Sequence, residues 1–127
     1  MTEALFHTKA GVSKAWVRRV VEKVLRAEKA NARIHILITG DREIRKINKR
    51  FLKHDYSTDV LSFDTGDIVV SADFAKRYSH EHGIPYKEEL ARYLVHGTLH
   101  LLGYEDKKKK DHARMHKRQE SILKGIL

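Results

Sequence analysis

Val60-Leu61-Ser62-Phe63-Asp64-Thr65-Gly66-Asp67-Ile68-Val69-Val70-Ser71 reads as two short strands, Val60–Phe63 and Asp67–Ser71, around the break Asp64–Gly66. β-branched and aromatic residues fill both runs, and so short a Gly-containing break closes a hairpin. Helical patterns flank the hairpin on both sides. Downstream, Ser71 can cap a helix over Ala72–His82 that Gly83 stops. Pro85 suits the first turn of the next helix, which carries Leu90, Tyr93, Leu94, Leu99 and Leu101 and ends at Gly103. A last, basic helix runs from about Lys107 to Leu123. Upstream, His54–Asp59 is a polar loop, and Asp41 reads as the cap of a helix with Ile44, Ile47 and Phe51 on one face. Arg33–Thr39 alternates around Ile34, Ile36 and Ile38; Leu37 breaks the alternation, so both faces of that strand have cover. Ser13 caps a helix on which Trp16, Val17, Val20, Val21, Val24 and Leu25 recur at helical spacing, and Ala4–Thr8 is a short first strand. The pattern predicts one compact α+β domain over residues 1–127, a small mixed β-sheet covered by helices.

Twenty-six Lys and Arg against 17 Asp and Glu leave a net charge of +9 over 127 residues. That balance suits a polyanionic partner, whether RNA, DNA or an anionic surface. No Cys is present. Disulfides and thiolate metal ligands are therefore excluded, and a reducing, cytoplasmic setting is expected. No stretch approaches the roughly 18 apolar residues of a membrane span. Met1–His7 lacks the basic and long apolar regions of a signal peptide. No internal repeat or Pro/Gly/Ser linker divides the chain. No aromatic-rich pattern of the kind that stacks bases on a sheet is present either.

The chemistry is concentrated in His96-Gly97-Thr98-Leu99-His100-Leu101-Leu102-Gly103-Tyr104-Glu105-Asp106. His96 and His100 stand four apart on a helix, so both imidazoles share a face and can share a metal. Gly103 lets the chain turn and bring Asp106 back to them. Three protein ligands leave a coordination position open, as hydrolytic sites require. Such pairs also arise by chance in a chain with nine His: His80 and His82 are close, and His112 and His116 repeat the spacing. Gly97 stands where the zinc-protease pattern H-E-x-x-H has its general base, which argues against peptide hydrolysis. The positive charge favours a phosphodiester.

His96–Gly103 followed by Tyr104 resembles the H-G-x-L-H-L-x-G-Y-D-H signature of the YbeY family of bacterial endoribonucleases. Asn48, Phe51, Asp55 and Thr58-Asp59-Val60-Leu61-Ser62-Phe63 resemble that family's N-x-x-Y-R-x-x-D-x-x-T-D-V-L-S-F block, and Gly66-Asp67-Ile68-Val69 resembles its G-D-I-x-I strand. The resemblance implies a zinc-dependent, single-strand-specific endoribonuclease in rRNA maturation, at the 3′ end of 16S rRNA, and in ribosome quality control. The implied partners are rRNA and the ribosomal subunit, with no membrane and no DNA specificity. His96 and His100 match two of the family's three His ligands, and Asp106 falls on the third. The family's Arg after the aromatic falls on Leu52, beside Lys53 and His54. His54 is then a candidate proton donor or phosphate contact, and Glu105 a candidate general base. Thr58 and Asp59 either line the cleft or close the loop. His112 is an alternative third ligand if the chain after Asp106 folds back. The basic run Lys107–Lys110, with Arg114, Lys117, Arg118 and Lys124, is either solvated surface or a hold on RNA phosphates. A non-catalytic ribosome- or RNA-binding factor with a structural or lost metal is the rival reading. A metallohydrolase of small substrates is a third.

Overall fold

The computed structural model describes Thr2–Leu127; Met1, and with it the start of the segment read for a signal peptide, lies outside the described residues. Four strands and five helices follow in the order β1 (Thr2–Phe6), α1 (Lys14–Ala27), β2 (Ile34–Thr39), α2 (Asp41–Leu52), β3 (Val60–Phe63), β4 (Asp67–Ser71), α3 (Ala72–His82), α4 (Tyr86–Leu101) and α5 (Lys109–Ile126). The sheet order is β1-β2-β4-β3. The β1–β2 and β2–β4 pairs are parallel, and the β3–β4 hairpin is antiparallel. The domain is therefore α+β with a mixed sheet, as the sequence predicts. Among the described residues no helix is long and apolar enough to cross a membrane.

Alternation along the strands divides the apolar residues between two layers. Ile34, Ile36, Ile38, Ile68 and Val70 point into the larger core with α1 and α4. Leu37, Leu61, Phe63 and Val69 point the other way, where Ile44 and Ile47 of α2 meet them. Leu37 breaks the Ile alternation because β2 is covered on both faces. The second layer is thin: among the described residues Ile44, Leu61 and Val69 are its only buried members, and Phe51 is 59% exposed.

Local hydrogen bonds set most boundaries where the sequence puts them. Ser13 Oγ accepts from the Trp16 amide at 3.0 Å, and Ser71 Oγ accepts from the Phe74 amide at 3.1 Å. Gly83 ends α3 in the left-handed region, φ 65°. Asp41 is a correction. Gly40 is the N-cap of α2, and the carboxylate of Asp73, from α3, accepts from the Asp41 amide at 2.9 Å. A side chain at position 40 would meet that carboxylate at 2.6 Å. Asp41 instead binds Arg77 and accepts from Ser71 Oγ, tying α2 to the start of α3. Pro85 precedes α4 as its N-cap rather than entering the first turn, α5 starts at Lys109 and runs on to Ile126, and β1 lies two residues earlier than expected.

Gly97 brings α4 onto the sheet. A Cβ there would lie 2.9 Å from Ile68 Cγ2 and 3.1 Å from both Ser62 Oγ and Val60 Cγ2. Ser62 Oγ uses the close approach to donate to the Gly97 carbonyl at 3.0 Å. Gly97→Val is therefore expected to destabilise the fold by about 2–3 kcal/mol, because overpacking outweighs the few tenths gained in helix propensity. The urea midpoint would report it; an unchanged midpoint would mean that the helix can lift from the sheet without loss.

Candidate metal centre

α4 places His96 and His100 one turn apart, with their rings edge to face and centroids 4.7 Å apart. Left-handed Gly103, φ 102°, turns the chain after α4 so that Asp106 returns to both rings. Asp106 Oδ2 lies 3.2 Å from His100 Nε2 and 3.8 Å from His96 Nε2. One ligand atom from each residue lies within 4.8 Å of the others. Ligands about 2.1 Å from a tetrahedral ion stand about 3.4 Å apart, and the two separations to Asp106 Oδ2 lie on either side of that value.

The tautomers follow from the far side of each ring. The Tyr104 carbonyl, which can only accept, lies 2.9 Å from His100 Nδ1. Gln119 of α5 donates through Nε2 to Glu120 at 3.0 Å, which leaves its Oε1 to accept from His96 Nδ1 at 2.6 Å. Both Nδ1 atoms therefore donate, and both Nε2 atoms face a carboxylate oxygen. With both rings neutral, three acceptors converge on one point, which a cation satisfies. Burial pushes the His96 pKa below its ordinary value against the opposing pull of the Gln119 hydrogen bond, which favours the neutral ring that a ligand must be. The arrangement can bind a divalent metal and leave room for a further ligand.

Gln119 in turn rests on a part-buried ionic network in which Glu89 is the buried member. Arg92 of α4 donates to both oxygens of Glu120, at 3.0 and 3.1 Å, and binds Glu88 and Glu89. Burial alone would raise the Glu120 pKa; the hydrogen bonds from Arg92 and Gln119 overcome this and hold its carboxyl below the usual range. Sequence reasoning missed Gln119, Glu120 and Arg92. One signal was available: Gln119 is the polar member of an α5 stripe otherwise made of Met115, Ile122 and Leu123.

His96 and Asp106 open onto a cleft of about 400 Å³, lined further by Asp59, Arg92, His112 and His116. Asp59 fills both expected roles, since it also accepts from the Val60 amide at 2.7 Å and from Thr58 at 3.2 Å, closing the loop. His112 reaches this cleft but does not join the three-residue ligand group. Glu105 is exposed and faces a neighbouring depression with Asp111 and Arg114, not the cleft. His54 is exposed on the loop before Asp59, stacked on Tyr56. Leu52 is exposed at the end of α2, and Lys107–Lys110 are exposed just beyond Asp106.

Comparison with known proteins adds a second line. A family model described as Endoribonuclease YbeY matches residues 5–126. A protein of Persephonella marina named Endoribonuclease YbeY is 37% identical, with 91% of this chain and 84% of that one covered. One of the same name from Porphyromonas gingivalis is also 37% identical, over 89% of this chain and 83% of its own. A solution structure from Thermotoga maritima superposes with a TM-score of 0.75, covering 99% of this chain and 89% of its own. At 24% identity that likeness concerns the fold.

Proposed function

The chain belongs to the YbeY endoribonuclease family, and on that premise we propose that it is a zinc-dependent, single-strand-specific endoribonuclease acting in rRNA maturation. The observation that carries this reading is the convergence of His96 Nε2, His100 Nε2 and Asp106 Oδ2 at one point beside an open cleft. These three residues would hold the ion. Bound there, Zn²⁺ would polarise a phosphoryl oxygen and lower the pKa of a water. Gln119 and the Tyr104 carbonyl hold both rings with Nε2 turned towards Asp106, where the ion would sit. Lys107–Lys110 neutralise the RNA backbone next to the cleft. Glu105 faces the depression beside the cleft rather than the cleft itself, so its expected role as general base is not part of this reading. His54 donates a proton or contacts a phosphate from the loop. The physiological substrate is then the 3′ end of 16S rRNA on the ribosomal subunit, in a cytoplasmic setting, with a part in ribosome quality control.

Cleavage of a single-stranded oligonucleotide and of its duplex, by metal-loaded and chelator-treated protein, tests the proposal. Zn²⁺, Mn²⁺ and Mg²⁺ are added back separately. The expected result is endonucleolytic cuts in the single strand, loss of activity on chelation, and restoration by Zn²⁺. RNA binding without cleavage under every metal would replace this reading with the non-catalytic RNA-binding factor, for which the exposed lysines beyond Asp106 would suffice.

A further inference from the structure

An exposed aromatic pair stands beside the cleft with no part in the metal centre. Residues 51–56 are all exposed, and Tyr56 is 54% exposed. The Tyr56 ring lies nearly parallel to His54, with centroids 5.4 Å apart and planes 11° apart. The phenol oxygen is 3.2 Å from His54 Nδ1.

Surface rings usually sample several rotamers; the backbone beneath these two is anchored. Lys53 leaves α2 in the left-handed region at φ 63°. Asn48, buried at 1% exposure, accepts through its carbonyl from the His54 amide at 3.2 Å. Its side-chain Nδ2 donates to the Tyr56 carbonyl at 3.0 Å. Arg45 holds Asp55 between them at 2.8 Å. A platform held this way loses little further freedom when a third ring docks on it.

Position and charge indicate what that ring is. Asp59, three residues beyond Tyr56, lines the cleft shared by His96 and Asp106. Three residues of chain span at most about 10 Å, so the platform stands within a few nucleotides of the metal centre. Between positions 45 and 55 five cations, Arg45, Lys46, Lys49, Arg50 and Lys53, stand against the single carboxylate of Asp55. Exposed aromatic rings interleaved with cations form the usual surface for single-stranded nucleic acid. The surface lies on a loop, not on strands, and so differs from a sheet-borne aromatic pattern.

Resting on the endoribonuclease reading, we infer that the 53–56 loop is a stacking subsite for an unpaired nucleobase flanking the scissile phosphate. Tyr56, backed by His54, supplies the face, and Lys53 and Lys49 supply charge for the adjoining phosphates. A duplex has no free base face to offer, so the subsite favours single strands.

The test is the affinity of metal-loaded protein for a short single-stranded RNA, for its duplex, and for a series in which one nucleotide at a time is made abasic. Tyr56→Ala is expected to weaken single-strand binding roughly 5- to 100-fold and to leave duplex binding unchanged. Tyr56→Phe keeps the ring and is expected to bind within about twofold of wild type. One abasic position should weaken wild type and have no further effect in Tyr56→Ala. Melting temperature and metal content should be unaltered in both variants. Wild-type affinity in Tyr56→Ala, with wild type cleaving RNA normally, overturns the subsite and spares the enzyme reading. A loss in Tyr56→Phe equal to that in Tyr56→Ala also overturns it, because the hydroxyl would then be responsible. Wild type that neither binds nor cleaves RNA overturns both.

Discussion

His100→Ala is expected to lower divalent-metal affinity by at least about 100-fold and to abolish RNA cleavage. The size follows from what remains. His96 Nε2 and Asp106 Oδ2 stand 3.8 Å apart, and two ligands do not enclose an ion. Loss of an outer partner that only orients a ligand costs about 10- to 100-fold in affinity, so loss of a ligand itself lies above that range. Gln119→Leu supplies the comparison: it keeps all three ligands but frees His96 Nδ1, and is expected to fall within the 10- to 100-fold range. Metal content by mass spectrometry and affinity by competition titration, for wild type, His100→Ala, Asp106→Ala and Gln119→Leu, give the ranking. Retained metal in Asp106→Ala alone would transfer the third ligand's role to His112, which lines the same cleft. Equal affinities for wild type and His100→Ala would refute the site.

Arg92→Met is expected to be the most destabilising single change near the site, at about 3–5 kcal/mol. The cost comes from Glu89, whose side chain is 5% exposed and would keep a buried charge without its partner. Glu88 and Glu120, at 28% and 35% exposure, can rehydrate and add little. The deficit depends on pH with a definite sign. In wild type the lowered Glu120 pKa contributes stability that is present above the ordinary carboxylate range and lost as pH falls through the folded value. The gap between wild type and Arg92→Met therefore narrows as pH drops. Pairing Arg92→Met with Glu89→Leu removes both charges and is expected to recover most of the loss. Urea titrations at pH 7 and pH 5 check all three points; a gap that widens in acid would reject the buried-charge account.

Sequence legibility followed the range of the interaction. Ser13, Ser71 and Gly83 mark helix ends through hydrogen bonds or backbone angles only a few residues away, and their places were legible. His96, His100 and Asp106 were legible for the same reason, since one helix and the turn after it carry all three. Asp41 was misread as a cap because the true acceptor, Asp73, stands 32 positions away on another helix. Gln119 and Glu120 lie 23 and 28 positions from the groups they serve, His96 and Arg92, and nothing local in α5 announces those partners. The order β1-β2-β4-β3 depends on which strands meet across the core, and hydrophobic pattern alone does not specify that.

The two faces of the sheet are unequal, and the inequality assigns different local stabilities to the two halves of the site. His96 and His100 ride on α4, packed into the thick layer with α1, whereas the 53–56 loop follows α2, which packs on the thin one. Opening free energy scales with the apolar contacts that must be broken, so the α2 side constitutes the lower-stability cooperative unit. Its amides are expected to exchange with solvent before those of α4. The 53–56 strip can thus open on its own, while the helix that carries His96 and His100 stays packed in the thick layer.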